Sequence, residues 1–284
     1  MTIRLGGMAS SLDTESIINS LLDVRKVPIK AIETKIADKE KKKRIWNETD
    51  TAVSMMKVNT SQLTSFTTWQ QKLFTSNDED VVSGKVSNNT IEPRSYSVNV
   101  SNLARAHQYH SDSQTSTTAA LNLSGIFKVN GQEITVETTD TLETIRNKIN
   151  QKSSDMTGAG AKSYIIGTTL VLESKKTGIG NEMTMEYVSG DNVLTSLGLN
   201  KPANEITALN LNATIDNIGV TSTDNTNITS LINGLTLNFT GTGIAKIGVS
   251  RDLDSIKTKI NDFLTSYNDT MAYLKEQTKV DVGG

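Results

Sequence analysis

The sequence predicts an α+β fold, in which a helical, coiled-coil-like leg made from the two ends of the chain carries an inserted β-rich head of two parts. Apolar residues recur at steps of three and four from Ser16 to about Phe74, and again from Asp252 onward, as in amphipathic helices. Between them, short runs alternate apolar and polar residues, as strands do. Aromatic residues make up only 5% of the 284, which suits a thin, solvated β module rather than a deep apolar pocket.

The N-terminal helical pattern has two apolar stretches separated by charged residues. The first contains Ile18, Leu22, Ile29, Ile32 and Ile36, and the second contains Trp46, Val53, Met56 and Leu63. Asp13 or Thr14 supplies N-cap chemistry. Pro28 interrupts the pattern, so we predict that one helix ends near Lys26 and another begins there with proline in its first turn.

The middle of the chain, from about Ser76 to Ser250, reads as short strands with one helix. The predicted strands are Ser95–Val100, Phe127–Val129, Ile134–Glu137, Thr168–Ser174, Met183–Val188 and Leu235–Phe239. Asn130-Gly131 predicts a tight hairpin turn, and Asp140-Thr141 opens a helix whose apolar face includes Leu142 and Ile149. The polar stretch Ser111–Thr118 is expected to cross between the two parts of the head.

The C-terminal pattern predicts one uninterrupted helix from an N-cap at Asp252 to about Lys279. Its apolar stripe consists of Leu253, Ile256, Ile260, Phe263, Tyr267, Met271 and Leu274. The simplest arrangement packs this stripe against the N-terminal helical stripe as an antiparallel pair, with the β region at the far end of the leg. Further helix or another subunit must then cover the remaining apolar surface.

Composition disfavours several classes of protein. The 29 basic and 31 acidic residues give a net charge of −2, so no nucleic-acid footprint is predicted. The one basic run, Lys39–Arg44, lies in a helical pattern and is interpreted as a solvated helix face rather than a polyanion site. The chain has no cysteine, no stretch near the about 20 apolar residues of a membrane span, and no Sec-type signal pattern in residues 1–12.

No catalytic, cofactor or metal site is predicted, and the chain is interpreted as not being an enzyme. His107 and His110 are the only histidines, and a metal site would need more ligands than the nearby Asp112. No Gly-x-Ser-x-Gly elbow is present. The Gly-x-Gly sequences at 158–160 and 178–180 suit turns, and Asp78 and Asp80 lie in a polar loop without the apolar surroundings that a glycosidase acid needs.

Several motifs, in order, resemble the flagellar cap protein family (hook-associated protein 2). Gly7–Thr14, followed by Ile17-Ile18 and Leu21-Leu22, resembles its N-terminal signature, with Pro28 and Trp46 at matching places. Tyr96–Val100 followed by Leu103-Ala104 resembles the strand that closes the N-terminal segment. Gly125–Gly178 looks like the hook-IN module of flagellar axial proteins. Three further motifs resemble the opening of the family's C-terminal segment: Asn225–Asn227, Gly234–Leu237 and Phe263–Asn268.

The resemblance implies a structural protein that caps the distal end of the bacterial flagellar filament, retains flagellin and promotes its polymerisation. It implies export as an open chain by the flagellar type III apparatus, an extracellular location at the flagellar tip, and no cofactor. The implied partners are further copies in a ring-like homo-oligomer, flagellin, hook–filament junction proteins and an export chaperone. The alternative is a surface adhesin, for which Arg94, Tyr164 and Tyr187 are the sparse candidates for a binding patch.

The resemblance also suggests roles for particular residues and segments. The assembly segment would use Gly7, Met8, Ala9, Ser10, Leu12 and Asp13, and the leg would pack through Ile29, Ile32, Ile36, Trp46, Val53, Leu63, Ile256, Ile260, Phe263 and Tyr267. The expected divisions are a terminal export and assembly segment at 1–40, disordered in the monomer; a leg at 41–75 plus 252–284; a proximal head at 76–111 plus 203–251; and a distal, hook-IN-like head at 112–202. Because the family pattern continues past Gly284, the chain is expected to be truncated before its C-terminal end.

Overall fold

The computed structural model describes residues 14–158 and 160–279, which form five α-helices, one short 3-10 helix (Pro202–Asn204) and fourteen strands. The helices are α1 (Thr14–Thr64), α2 (Phe66–Trp69), α3 (Leu142–Lys152), α4 (Val193–Ser196) and α5 (Leu253–Gln277). The strands are β1 (Lys72–Ser76), β2 (Val82–Val86), β3 (Arg94–Asn102), β4 (Ala106–His110), β5 (Gly125–Val129), β6 (Gln132–Val136), β7 (Ala161–Ile166), β8 (Thr169–Thr177), β9 (Met185–Gly190), β10 (Glu205–Ile206), β11 (Leu211–Ile215), β12 (Ile218–Ser222), β13 (Leu235–Phe239) and β14 (Gly243–Arg251). The predicted fold class is confirmed, because long helices lie at both ends of the described chain and strands fill the middle.

Helices from opposite ends of the sequence pair within one compact unit, which contains the described residues up to Trp69 and from Leu253 onward. The amide of Asn59 donates to the backbone oxygen of Asp262, and the hydroxyl of Thr270 donates to the backbone oxygen of Ala52. Later residues of α5 thus contact earlier residues of α1. The pair is antiparallel, as the apolar stripes predicted.

The predicted break at Pro28 is wrong, because α1 continues without interruption from Thr14 to Thr64. Proline removes one backbone N–H and therefore one hydrogen bond, the one that the Val24 carbonyl would accept. Every side chain from Glu15 to Arg44 is exposed, so water can satisfy that carbonyl. The loss of one bond weakens the helix here without ending it.

The second unit, Gln70–Asp252, contains two hydrophobic cores. The first core lies under an antiparallel five-stranded sheet of order β1-β14-β3-β11-β12, together with the ladder β13-β2. Its fully buried side chains include Val98, Leu211, Leu237 and Phe239. Because β3, β11 and β14 alternate buried and exposed residues, one face of their sheet is solvated.

The other core lies between the sheet β10-β4-β8-β7, the sheet β6-β5-β9 and helix α3. Phe127, Leu142, Ile145 and Leu172 are fully buried in it. Strand β4, at residues 106–110, pairs with β8 and so belongs to this group, although the sequence suggested a boundary after residue 111.

Two local sequence signals form the structures that they predict. Strands β5 and β6 pair in a hairpin whose turn residues, Asn130 and Gly131, have positive φ angles of 46° and 82°. Helix α3 begins with a capping box in which Thr141 and Thr144 exchange side-chain-to-backbone hydrogen bonds. Within residues 14–158 and 160–279, no helix is both long and apolar enough to cross a membrane.

Candidate assembly surface on the helical pair

The contact between α1 and α5 follows a heptad spacing on both helices. The buried and half-buried positions of α5 include Ile256, Lys259, Phe263, Ser266, Thr270 and Tyr273, which alternate steps of three and four. The facing positions of α1 are Ile45, Thr49, Ala52, Met56, Asn59 and Leu63. Several of these side chains are polar or small, so part of the contact depends on hydrogen bonds.

Tyr273 and Lys259 form hydrogen bonds from α5 to α1 near the two ends of this contact. The hydroxyl of Tyr273 donates to Glu48 Oε2 at 2.8 Å and lies 3.3 Å from the backbone oxygen of Ile45. Lys259 Nζ donates to Gln62 Oε1 at 3.0 Å. Desolvation and the neighbouring Glu48 carboxylate raise the pKa of Tyr273, so the phenol stays a neutral donor at physiological pH.

The ten residues expected to pack the leg differ in how far the structure buries them. Ile256 is buried, and Leu63 and Phe263 are half-buried. The other seven are exposed in the described chain: Ile29, Ile32, Ile36, Trp46, Val53, Ile260 and Tyr267. Their role in packing the leg stays a prediction that needs a partner. The assembly segment Gly7, Met8, Ala9, Ser10, Leu12 and Asp13 lies outside the described residues.

Every side chain from residue 15 to residue 44 of α1 is exposed, and the half-buried positions of α1 that face α5 begin at Ile45. Nine large apolar side chains are exposed there: Ile17, Ile18, Leu21, Leu22, Val24, Val27, Ile29, Ile32 and Ile36. Their exposed fractions run from 45% to 68%. A contiguous apolar stripe of this kind is typical of an interaction surface rather than of a free monomer surface.

The paired part of the two helices has two different flanks. Glu48, Ala52 and Met55 of α1 face Asp269 and Tyr273 of α5 across a groove of about 400 Å³. On the heptad wheel, the opposite flank of both helices carries an apolar set: Trp46 and Val53 of α1 with Ile260, Leu264, Tyr267 and Met271 of α5, each at least 36% exposed. The pair therefore presents one apolar flank and one groove with acidic residues at its rim.

Each of the two histidines has polar partners within the second unit. His107 is 3% exposed, its Nε2 lies 2.9 Å from Glu205 Oε1, and its Nδ1 accepts the backbone N–H of Met183. Burial and the charge of Glu205 raise the pKa of Tyr109, which shares that carboxylate, to about 12. His110 lies near the backbone oxygen of the next residue. No group of three or more possible ligands for a metal ion occurs in the part of the chain that the structure describes.

The three candidates for an adhesin patch lie on separate sheets. Arg94 on β3 forms an ion pair with Asp216 at 2.8 Å, and Tyr164 on β7 donates to Glu173 at 2.7 Å. Tyr187 on β9 donates to the backbone oxygen of Gly190. Each of these polar groups therefore already has an intramolecular partner.

Comparison with known sequences identifies the family. The profile for the N-terminus of flagellar hook-associated protein 2 matches residues 10–107, and the profile for its C-terminus matches residues 208–282. The two profiles together cover more than half of the chain. The chain belongs to the flagellar cap protein family. The residues matched by the two profiles include most of the helical pair, with the exposed stripe on α1 and the α5 side of the groove.

Solved structures of cap proteins share the fold. The D1–D2–D3 domains of the flagellar cap protein FliD from Escherichia coli superpose with a TM-score of 0.61 at 22% identity, covering 84% of this chain and 70% of that one. FliD from Pseudomonas aeruginosa gives a TM-score of 0.57 at 25% identity, covering 72% of this chain and 99% of that one.

Relatives named flagellar hook-associated protein 2 align over most of this chain. The protein of Halalkalibacterium halodurans is 24% identical over 96% of this chain and 58% of its own length. The protein of Aquifex aeolicus is 24% identical over 97% of this chain and 65% of its own length. The protein of Thermotoga maritima is 28% identical over 55% of this chain and 25% of its own length. The chain thus spans between a quarter and about two thirds of the length of these relatives.

Proposed function

We propose that this protein caps the distal end of the flagellar filament, where it retains flagellin and promotes its polymerisation. The observation that carries the proposal, beyond family membership, is the stripe of nine exposed apolar side chains on residues 15–44 of α1. A protein that acts by assembly needs such an unpartnered surface, whereas one that acted alone would bury it.

The physical properties of this segment suit contacts that form and dissolve repeatedly. A helix without tertiary contacts is marginally stable in water. Ordering it costs about 1–2 kcal/mol per residue, which a partner must offset. Binding coupled to ordering is therefore weaker for its area than binding of rigid surfaces, and a weaker contact can release and re-form as each flagellin subunit enters. Disorder of residues 1–40 in the free monomer is part of this proposal.

The proposal places the protein outside the cell at the flagellar tip, after export by the flagellar type III apparatus. Its partners would be further copies in a ring-like cap, flagellin, the hook–filament junction proteins and an export chaperone. Gly7–Asp13 would contact the base of the assembly, and the exposed leg residues would contact neighbours. The head would comprise a proximal part around the five-stranded sheet and a distal part, centred on 112–202, that β4 and β10 also join. No covalent step is assigned to any residue.

A complementation experiment tests the proposal. A strain without the gene should release flagellin monomer into the medium and lack filaments. The wild-type gene should stop the release of flagellin and restore filaments. The variant Ile29→Ser/Ile32→Ser/Ile36→Ser should fail to restore filaments, because it removes three of the exposed apolar anchors. The matched control, Lys30→Ser/Thr34→Ser/Ala37→Ser, alters neighbouring exposed positions and should complement. Normal filaments in the deletion strain would contradict capping, and full activity of the first variant would contradict the role of the stripe.

A further inference from the structure

Two asparagines of the chain are followed directly by glycine: Asn130 by Gly131, and Asn233 by Gly234. In such a pair the glycine nitrogen can attack the side-chain amide of the asparagine, because glycine has no Cβ to hinder the approach. The attack needs an amide that is free to turn toward the glycine nitrogen. The hydrogen bonds around each asparagine therefore decide whether its pair can react in the folded protein.

Asn130 is held in place by the residues around it. It is 5% exposed, and its Oδ1 accepts the backbone N–H of Thr184 at 2.8 Å. Its own backbone N–H donates to the Thr184 oxygen at 2.9 Å, and its backbone oxygen accepts the N–H of Thr157 at 3.0 Å. Turning the amide toward Gly131 would leave the Thr184 N–H without its acceptor, so the pair can react only when this part of the structure opens.

Asn233 has none of these restraints. It is exposed, and no described residue forms a hydrogen bond with its side-chain amide or with the backbone N–H of Gly234. The pair occupies the centre of a β-turn in which the Leu235 N–H donates to the Ile232 oxygen at 3.1 Å. The φ angle of 89° at Gly234 fits a type II turn. Because the bond that closes the turn joins its outer residues, the amide and the N–H at its centre are both uncommitted.

We propose that Asn233 is the site at which this folded protein deamidates spontaneously, with water as the only co-reactant. The Gly234 nitrogen loses its proton and forms a bond to Cγ of Asn233, while the bond from Cγ to Nδ2 breaks and the amide nitrogen leaves as ammonia. One water molecule then opens the resulting five-membered imide at either carbonyl. The product is aspartate or isoaspartate, and no oxidant or reductant takes part.

The conversion would alter the turn that leads into β13. The backbone oxygen of Gly234 accepts the N–H of Ser87 at 2.8 Å and that of Asn88 at 3.2 Å, next to the ladder between β2 and β13. The following residue, Leu235, is fully buried in the first core of the second unit. Isoaspartate carries the main chain through its own Cβ and Cγ, which lengthens the turn by one carbon and displaces these contacts. This inference goes beyond the proposed function and does not depend on it.

Peptide mapping by mass spectrometry tests the site. The full chain is incubated in mildly alkaline buffer, either folded or unfolded in urea, and conversion of each asparagine is followed by the mass gained when an amide becomes an acid. In the folded protein, Asn233 should convert on the order of tenfold faster than Asn130 or more, because only Asn130 must wait for local opening. In urea the two rates should be similar, since both pairs are then open. Asn233→Gln should abolish conversion at 233 and leave that at 130 unchanged.

Equal rates for the two asparagines in the folded protein, or an Asn233 that converts only in urea, would overturn the proposal. Its structural consequence has a separate test. The isoaspartate form is isolated by ion exchange and identified by fragmentation, and its urea unfolding is followed by circular dichroism. It should unfold at a lower midpoint than Asn233→Asp, which adds the same charge without the extra carbon. Equal midpoints would refute the effect on the turn.

Discussion

Two isoleucines of the helical unit should respond very differently to truncation. Ile256 lies in the contact between α1 and α5 at 9% exposure, whereas Ile32 lies on the unpartnered part of α1 at 58% exposure. Ile256→Ala removes about three buried carbon groups at about 0.8 kcal/mol each, and the better helix propensity of alanine returns up to about 0.5 kcal/mol. The expected cost is about 2 kcal/mol. Ile32→Ala should change stability by less than about 0.5 kcal/mol.

Tryptophan fluorescence can measure these changes in the helical unit by itself. The only two tryptophans, Trp46 and Trp69, both belong to that unit. Urea unfolding followed by their emission should show a lower midpoint for Ile256→Ala and a midpoint near the wild type for Ile32→Ala, with similar slopes. Equal losses for both variants, or no loss for Ile256→Ala, would refute the assignment of the packed and unpacked faces.

Three further predictions concern exchange, a turn and acid stability. Hydrogen exchange should be fast across residues 15–44 and slow across 45–64, because all the half-buried positions of α1 lie in the second range. Uniform protection along α1 would contradict this. Gly131→Ala should destabilise the β5–β6 hairpin by about 1–2 kcal/mol in urea unfolding, because alanine at φ 82° is strained, and an unchanged midpoint would contradict it. Burial raises the pKa of Asp140, but the hydrogen bonds from Lys148, the Glu137 N–H and Thr144, together with the charge of Lys148, outweigh burial and lower that pKa overall. The stability that Asp140 contributes is therefore present above the pKa of the unfolded chain and is lost as pH falls through the lower folded value. Asp140→Asn should flatten the dependence of stability on pH in that acid range, and an unchanged slope would exclude this role.

The pairing of the two ends and the main strands could be predicted because each depends on a repeated local pattern. The apolar stripe of α5 runs for six turns without proline or glycine, so its helix and its need for a partner follow from spacing alone. The hairpin at Asn130-Gly131 follows from the positive φ angles that these residues tolerate. The strand expected at Met183–Val188 forms two residues later, as Met185–Gly190, because the pattern does not fix where pairing with β5 begins.

The residues of α1 that face α5 could not be predicted from hydrophobicity. Thr49, Ala52 and Asn59 form much of this contact, whereas the larger Trp46 and Val53 are exposed. Close approach of two helices favours small side chains. The contact also uses hydrogen bonds that no apolar scale records, from Asn59 to the backbone oxygen of Asp262 and from Thr270 to that of Ala52. The sequence does carry one indication of this face. Ile45, Thr49, Ala52 and Met56 follow one another at steps of four, three and four, which defines a helix face different from that of Trp46.

The position of His107 shows a second limit of sequence reasoning. A histidine two residues before a tyrosine on a short strand gives no indication that its partners, Glu205 and the Met183 N–H, lie 98 and 76 residues away. Long-range partners of this kind depend on sheet order, here the pairing of β4 with β10, which no local pattern encodes.

Cross-linking tests the central claim, that the two ends of the chain form one antiparallel helical pair, most directly. The chain has no cysteine, so a pair introduced at Ala52→Cys and Thr270→Cys reports on that one contact. This pair should close rapidly within a single chain on oxidation or with a short thiol cross-linker. The control pair Ala52→Cys/Thr258→Cys, displaced by about 18 Å along α5, should stay open. Absence of cross-linking at Thr270, or equal cross-linking at Thr258, would contradict the antiparallel pair.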